Sequence, residues 1–414
     1  MPRERPPIDD QRLDGIREAT CPACGHHVAA RFLPETRQPL ATLAWPTSRA
    51  DAEAMPRLPL QFVRCVDCGH VFNAAFAYEM VPYSEKPNLM FNRGALWTTF
   101  VRDTQGALLA RLPEDLHAIE IGHGDGSFLV ALSELQPRGR FIGFDPHGAS
   151  GRHGNIEFRA DLFDPMVHLR ELRPDLIISR HVLEHLTNPL GFLQLLSFAA
   201  AAHGLAPRAY FEVPCVDRAI EARRTVDFYY EHSSQFTTLS FERMLQRCSV
   251  QVERIGHGYD GEVIYGFVRL TGSPDQVFGA ETTARHRVAV QDSLDEISRQ
   301  LTAIHAAKRR VAIWGGTGKS AAFINRYGVD AVRFPVVVDS DRAKVGTFVP
   351  GAGQEIRFRD WLKHHPVDVI IVPPQWRARD IVAEIEQQAI PFETILIEHD
   401  GRLVDYFEER HPYR

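Results

Sequence analysis

The segment HAIEIGHGDGSFLVALSEL, residues 117–135, decides the fold of this chain. It opens on a short apolar run, HAIEIG, and continues into three glycines at alternate positions, Gly122, Gly124 and Gly126. Glycine lets the backbone approach a ligand closely and leaves the amino end of a following helix facing it. The stretch GSFLVALSEL then has the pattern of a helix. We therefore predict a strand, a ligand-binding turn and a helix in direct succession.

Further short strands follow, each rich in β-branched or aromatic residues. They are RFIGFD at 140–145, PDLIIS at 174–179 and AYFEVP at 209–214, with helical stretches between them. Alternating strands and helices predict an α/β fold with a parallel sheet whose faces are covered. We assign this first Rossmann-like domain to residues 79–272.

A second, smaller α/β unit is predicted over residues 273–414. It begins with an amphipathic helical connector over about 276–309. The apolar residues of this connector recur three or four positions apart and are Val290, Leu294, Ile297, Leu301 and Ile304. The strand-like runs RRVAIWG, RFPVVVD and VDVIIVPP follow it. The two α/β units resemble each other only in fold.

Two CxxC knuckles precede the first α/β domain. They are CPAC at 21–24 and CVDC at 65–68, and each is followed by a glycine. Two such knuckles close a tetrahedral site for a structural metal ion, with no open position for substrate. Redox motifs are the alternative, but they usually occur singly beside a βαβ pattern. We expect a module over residues 1–78 that holds zinc through the sulfurs of Cys21, Cys24, Cys65 and Cys68.

Composition restricts the class of protein. The 414 residues are 44% hydrophobic and 24% charged, as in a globular protein of two or three domains. The net charge of −6 and the lack of a basic block argue against nucleic acid as a partner. We find no apolar leader and no run of about 18 apolar residues, so we expect no membrane span. Cysteines arranged as metal ligands suit a reducing cytoplasm, and the oligomeric state stays open, a monomer being compatible with the sequence.

The glycine turn distinguishes between two cofactors. Dinucleotides prefer the spacing G-x-G-x-x-G, whereas S-adenosylmethionine prefers an acidic residue followed by G-x-G-x-G. Glu120 precedes the three glycines here, which favours S-adenosylmethionine. Asp145 ends the next strand, where a carboxylate can accept both ribose hydroxyls, and Asp161 and Leu162 follow the third strand, where they can bracket an adenine. A purely structural glycine turn is the alternative.

Two polar segments carry candidate catalytic groups. HVLEH at 181–185 follows the fourth strand, and YYEHSSQF at 229–236 comes after AYFEVP. A histidine beside a carboxylate can remove a proton near neutral pH, and a tyrosine hydroxyl can donate to an oxygen that gains charge. Tyr229, Glu231 and His232 fit these roles, and His185 is a further candidate. The alternatives are a polar surface loop with aromatic anchors and a packing or capping histidine at position 185.

Taken together, these motifs resemble the sugar C-methyltransferases of deoxysugar biosynthesis. The likeness rests on CPAC…CVDC, EIGHGDG, HVLEH, FEVP and YYEHSSQF, and on the C-terminal stretch VAIWGGTGKSAAFIN…VVVDSDRAKVGTFVPG…VDVIIVPP. It covers nearly the whole chain, and the segment from Asp339 to Gly351 is its most specific part. That family has a zinc module, a central S-adenosylmethionine domain and a C-terminal Rossmann-like domain, in this order.

The resemblance implies a reaction and a set of roles. In the family, a methyl group is placed on carbon 3 of a nucleotide-linked 4-keto-6-deoxysugar, through an enolate formed next to the ketone. Carried over by motif, His232 is the base with Glu231 beside it, and Tyr229 assists at the oxygen. His185 lines the same pocket, and Tyr83 matches a family tyrosine near the active site.

Three positions depart from the family pattern and concern the substrate. The family usually has tyrosine, asparagine and tyrosine where this chain has Cys215, His181 and Gln235. The cofactor residues are intact. An O- or N-methyltransferase acting on a related sugar or natural product is therefore a second hypothesis, and a zinc-dependent binding protein that has lost catalysis is a further one.

A second glycine loop, GGTGKS at 315–320, follows the first strand of the C-terminal unit. A Walker A motif needs glycine where Ile313 stands, so the spacing excludes an ATPase. An NAD-dependent oxidoreductase remains a hypothesis, because Asp339 follows the next strand. The resemblance instead implies a domain that closes over the active site and helps to hold the nucleotide part of the substrate, with Lys319 and Lys344 as candidate phosphate contacts.

Overall fold

The computed structural model describes the chain in several ranges, which are residues 13, 15–43, 45–81, 92, 94–110, 112–148 and 150–414. Internal contacts divide the chain into two compact units, Met1–Phe278 and Gly279–Arg414. None of the helices in these ranges is both long and apolar enough to cross a lipid bilayer.

An eight-stranded sheet forms the centre of the first unit. Five neighbouring strands run parallel, and antiparallel strands complete the sheet at both edges. In spatial order the strands are Val250–Gly258, Val263–Leu270, Arg208–Pro214, Leu176–Arg180, His117–Ile121, Arg140–Phe144, Ile156–Arg159 and Gly151–His153. The predicted Rossmann-like α/β fold is confirmed.

The strand order creates a ligand-binding edge. After the central strand His117–Ile121, the chain first builds the sheet on the side of Arg140–Phe144 and then on the side of Leu176–Arg180. Ligands of open α/β sheets bind where the order reverses in this way, outside the carboxyl ends of the strands. Glu120 lies at that edge, paired in register with Gly143 on one side and Ile178 on the other.

Helices flank the sheet, and several begin at strong capping residues. The Asp164 side chain accepts hydrogen bonds from the backbone amides of the first turn that follows, and Pro165 occupies the first helical position. Thr237 and Ser240 cap each other reciprocally. The helices are Ala95–Leu109, Ser127–Leu135, Pro165–Leu172, Pro189–Ala202, Asp217–Glu221 and Thr238–Gln246. Short 3₁₀ turns occur at Tyr78–Met80, Leu183–His185 and Tyr259–Gly261.

The N-terminal part of this unit forms a separate five-stranded sheet. Its strands are Ile16–Glu18, Val28–Arg31, Phe62–Cys65, Val71–Asn73 and Ser234–Gln235. The last strand comes from the YYEHSSQF loop, with Ser234 opposite Phe72 and Gln235 opposite Val71. The proline-rich middle contains a small hairpin, Thr36–Gln38 with Leu58–Leu60, and the helix Arg49–Ala54. The first module is therefore completed by residues far along the chain.

The second unit contains a six-stranded sheet of its own. Its strands, in spatial order, are Ile356–Phe358, Val336–Asp339, Val311–Trp314, Val369–Ile371, Thr394–His399 and Arg402–Asp405. The helices are Pro274–Ala306, Lys319–Arg326, Trp361–His364 and Ala378–Gln387, with 3₁₀ turns at Arg342–Lys344 and Gln375–Arg377. Ile297 and Leu301 of the long first helix are buried in one apolar cluster with Ile313.

Candidate active site

The glycine turn adopts backbone conformations that other residues rarely reach. Gly122 has a φ of 76° and Gly126 a φ of 74°. A Cβ atom at position 122 would lie 2.4 Å from Cγ2 of Val182, and one at position 126 would lie 2.7 Å from the ring of Phe158. Both positions therefore require glycine on conformational and steric grounds. The turn leaves the amino end of the helix Ser127–Leu135 at the carboxyl edge of the sheet.

The acidic residue before the turn is buried. Glu120 is 2% exposed, and its Oε2 atom has no hydrogen-bond partner among the described residues. Burial raises the pKa of this carboxyl to about 8, and the nearby Arg180 only partly offsets the effect. An unpartnered buried carboxyl oxygen at a ligand-binding edge fits a cationic ligand, such as the ammonium or sulfonium group of S-adenosylmethionine.

The second predicted cofactor acid is held by its own turn. One carboxylate oxygen of Asp145 accepts a hydrogen bond of 3.0 Å from the Gly124 amide, and the other accepts one of 2.9 Å from His147. Asp161 and Leu162 follow the neighbouring strand and lie at the surface, where Leu162 is 67% exposed. The structure thus places the predicted cofactor residues along one edge of the sheet.

A buried charge network lies beside this edge, and sequence reasoning did not identify it. Arg180 and Glu212 form an ion pair of 3.1 Å. Nε2 of His181 lies 3.1 Å from the same carboxylate, and its Nδ1 lies 3.3 Å from Glu184. Burial opposes ionisation of Glu212, but Arg180 and His181 outweigh it and lower the pKa to about 2. Burial likewise disfavours a charged His181, but Glu184 and Glu212 outweigh it and raise the pKa to about 9.

His181 also has an uncommon backbone conformation. Its φ of 54° lies in the left-handed region, which asparagine tolerates better than most residues. The ring remains in place because carboxylates hold it from two sides. The sequence shows that HVLEH follows the end of a strand. It does not show that His181 of this segment pairs with Glu212, which lies on another strand.

Three predicted catalytic residues come together. The Tyr229 hydroxyl lies 2.8 Å from Nε2 of His232. The rings of His185 and His232 meet edge to face with their centroids 4.7 Å apart. Nδ1 of His185 lies 2.8 Å from the backbone carbonyl of Glu231. Burial lowers the pKa of His232 well below its usual value, and His185 and His181 lower it further. Burial, followed by Glu184 and Glu231, raises the pKa of Tyr229.

The side chain of Glu231 points elsewhere. Its Oε1 atom accepts hydrogen bonds from the backbone amides of Ala41, Thr42 and Leu43, at 2.7, 2.7 and 3.2 Å. The residue is fully buried. The carboxylate therefore ties the YYEHSSQF loop to the N-terminal part of the unit. Tyr83, the other residue carried over from the resemblance, lies outside the described residues.

The four knuckle cysteines converge on one buried point. The sulfurs of Cys21 and Cys68 lie 3.6 Å apart, as do those of Cys24 and Cys65, and all four lie within 4.8 Å of one another. Tetrahedral zinc with Zn–S bonds of about 2.3 Å would separate its sulfurs by roughly 3.8 Å. The donor set and its spacing therefore fit a zinc ion.

The glycine loop of the second unit follows the strand Val311–Trp314, and nearby groups engage its candidate cations. Nζ of Lys344 lies 3.3 Å from Asp339, and Nζ of Lys319 lies 5.7 Å from the centre of the Trp376 ring. The Gly316 amide donates to the same Asp339 carboxylate at 3.4 Å. Asp339 is thus occupied by its own loop and by Lys344.

The fold and the first site together define a class of protein. A sheet of parallel strands with a reversed strand at one side, and an acid–glycine turn after its central strand, is the arrangement of class I methyltransferases. Residues 98–253 match the family described as a methyltransferase domain, and residues 276–397 match the one described as a C-methyltransferase C-terminal domain. The chain is an S-adenosylmethionine-dependent methyltransferase. No curated protein matches it in sequence.

Solved structures of methyltransferases align with part of the chain. One is the 1,6-didemethyltoxoflavin-N1-methyltransferase of Burkholderia thailandensis, with 15% identity over 42% of this chain and 80% of its own, at a TM-score of 0.31. Mitomycin 7-O-methyltransferase MmcR shares 16% identity over 42% of this chain and 54% of its own, also at 0.31. The plantazolicin methyltransferase BpumL shares 15% identity over 42% of this chain and 82% of its own, at a TM-score of 0.32. Identities and scores this low carry no information on the substrate.

Proposed function

We propose that this enzyme methylates a carbon atom next to the ketone of a nucleotide-linked 4-keto deoxysugar. The observation that carries the proposal is the contact of 2.8 Å between the Tyr229 hydroxyl and His232, a base and a hydrogen-bond donor side by side and both half-buried. The match of residues 276–397 to a C-methyltransferase C-terminal domain supports carbon as the methylated atom. The motifs shared with sugar C-methyltransferases support the substrate class.

The pocket suits removal of a proton from carbon. Because burial and the neighbouring histidines keep His232 neutral, its ring can accept the α proton, while the C–H electron pair moves into the ketone to form an enolate. Tyr229 stays protonated and can donate a hydrogen bond to the enolate oxygen. Carbon acids are weak, so this stabilisation of the oxygen contributes as much as the base.

S-adenosylmethionine supplies a methyl group on a sulfonium, so that a new carbon–carbon bond forms as the sulfur–carbon bond breaks and its electrons remain on a neutral thioether. Glu120 would hold the cationic part of this cofactor, and Asp145 would accept hydrogen bonds from its ribose. The positive φ angles of Gly122 and Gly126 allow the backbone to approach it. The proton on His232 finally passes to water.

The metal and the second unit have supporting roles in this proposal. Zinc on the four knuckle cysteines stabilises the N-terminal sheet and takes no part in the chemistry, because four sulfurs leave it no open position. Lys319 and Lys344 of the second unit stay candidates for binding phosphate, and Lys344 would then exchange its pairing with Asp339 for a phosphate oxygen.

Deuterium exchange tests the proposal directly. Candidate nucleotide-linked keto sugars are incubated with the enzyme in D₂O without cofactor, and deuterium is located by NMR. We expect incorporation at the α carbon, lost in His232→Ala and retained in His286→Ala, which replaces an exposed histidine of the long helix. With cofactor added, the new methyl should be bonded to carbon. A substrate that is methylated without exchange, or methylated on oxygen or nitrogen, would refute carbon methylation.

A further inference from the structure

Glu184 is a buried carboxylate that the proposed reaction does not yet use. It lies in the 3₁₀ turn Leu183–His185 and is 1% exposed. Its Oε1 atom forms an ion-pair contact of 3.3 Å with Nδ1 of His181, and neither of its oxygens has a hydrogen-bond partner among the described residues. Burying a carboxylate oxygen without a donor is costly. A carboxylate of this kind is well suited to compensate a positive charge that forms nearby during the reaction.

The carboxylate faces the base. One of its oxygens and one ring nitrogen each of His185 and His232 all lie within 4.8 Å of one another. The Glu184 charge also contributes to the raised pKa of Tyr229. Glu184 therefore lies near His232, and its charge acts on the Tyr229 hydroxyl as well.

The other carboxylate near the base is committed elsewhere. Three backbone amides and the Thr42 hydroxyl donate to Oε1 of Glu231, in a segment 188–190 positions earlier in the sequence. Glu231 is thus a neighbour of His232 in sequence, whereas a carboxylate oxygen of Glu184 lies within 4.8 Å of a ring nitrogen of His232. The remaining ionisable groups facing His232 are Tyr229, His185 and His181, and both histidines oppose its protonation.

We propose that Glu184 is the positioning carboxylate of the active site, which stabilises the imidazolium formed when His232 takes the α proton. A neutral base shielded from water accepts a proton readily only if a negative charge lies near enough to stabilise its protonated, positively charged form. Glu184 meets this need without contacting the substrate. The same charge disfavours ionisation of Tyr229 and so preserves its hydroxyl as a donor. The inference rests on the proposed function, in which His232 is the base, but the effect of Glu184 on His232 can be measured without any substrate.

Titration of His232 tests the inference without substrate. The ring signals of ¹⁵N-histidine-labelled enzyme, assigned with His232→Gln, are followed from pH 4 to 8. In Glu184→Gln the protonation midpoint of His232 should move down by about one unit or more. Glu184→Asp, which keeps the charge, should move it less and provides a second variant if the first fails to fold. Glu134→Gln, an exposed change, should leave it in place. An unchanged midpoint in Glu184→Gln and Glu184→Asp would overturn the inference.

The rate of α-proton exchange provides a second measurement. Glu184→Gln should slow exchange about ten- to a hundredfold with the KM for the sugar unchanged, and shift the pH profile of the rate. If no keto sugar exchanges in the wild type, the proposed function fails while the titration still decides on Glu184. If a chelator abolishes exchange and Mn²⁺ or Zn²⁺ restores it in the wild type only, the three side chains hold a cation, and the inference is wrong.

Discussion

Oε1 of Glu231 lies 2.7 Å from the backbone nitrogen of Thr42, although 189 positions separate the two residues in the sequence. The same oxygen accepts from the amides on either side of Thr42. Because Glu231 directly precedes His232, the N-terminal part of the chain helps to set the position of the proposed base. The carboxylate anchors the YYEHSSQF loop.

Removal of this anchor should destabilise the first unit. In Glu231→Ala, three backbone amides lose their acceptor, of which that of Leu43 is buried and that of Thr42 half-buried, and an unsatisfied buried donor costs about 1–3 kcal/mol. We expect the free energy of unfolding in urea to fall by about 3 kcal/mol. Glu231→Gln keeps one acceptor oxygen and should lose less. The exposed Glu221→Ala should behave like the wild type, and an equally stable Glu231→Ala would contradict the anchoring role.

The knuckle cysteines should carry one zinc ion per chain. Atomic absorption of the purified wild type should give a ratio near one, and Cys65→Ser should lose the metal together with part of the structure, since metal affinity at such sites contributes directly to folding. Cys248→Ser, which changes a buried cysteine outside the cluster, should keep the metal. Full zinc content in Cys65→Ser would exclude the four-sulfur site.

Two buried groups predict that the cofactor-free enzyme becomes less stable as the pH rises. The pKa of Glu120 is raised from 4.5 to about 8, and that of His181 from 6.5 to about 9. Between each pair of values the native state keeps a proton that the unfolded state has lost. Unfolding then releases a proton, so the free energy of unfolding decreases with pH. Histidines whose pKa is lowered by burial, His232 among them, act in the opposite direction below about pH 6.5, so we expect the decrease between about pH 7 and 9, measured by urea unfolding.

Substitutions should separate the two contributions. Glu120→Gln should make the decrease between about pH 7 and 8 shallower, where the native carboxyl still holds a proton that the unfolded state has lost. His181→Asn, which suits the left-handed backbone at that position, should flatten it between pH 8 and 9. Glu134→Gln should follow the wild-type curve. A decrease between about pH 7 and 8 that is unchanged in Glu120→Gln would show that the carboxyl is ionised in the native state.

The Tyr229 hydroxyl should matter for the reaction and little for the fold. Tyr229→Phe removes the donor to the enolate oxygen, and loss of one such donor typically costs about 10²–10³ in kcat. We expect a decrease of this size in methyl transfer, with the thermal midpoint nearly unchanged. Tyr413→Phe, near the C terminus, provides the matched control. Wild-type turnover in Tyr229→Phe would assign the oxygen to another donor.

The sequence predicted the features that short segments determine. The acid–glycine turn at 120–126 and the CxxC pairs are visible because neighbouring residues alone fix their conformation. Ser234–Gln235 was not predicted as a strand, because two residues carry no periodicity and their partner is Val71–Asn73. Glu231 was assigned to chemistry because sequence places it beside His232, whereas its hydrogen bonds reach a segment that the sequence does not connect with it. Glu184 has no role in the sequence-based prediction, because its closeness to His232 joins two segments that the sequence does not connect.

The strand Ser234–Gln235 also has a consequence for how the chain is made. All four knuckle cysteines have been synthesised by residue 68, yet the edge strand Val71–Asn73 finds its partner only after residue 235. At the usual speed of translation the interval is on the order of ten seconds. During it the edge presents unpaired backbone groups to any other strand. The growing chain on the ribosome, rather than the finished enzyme, is therefore the form most exposed to aggregation.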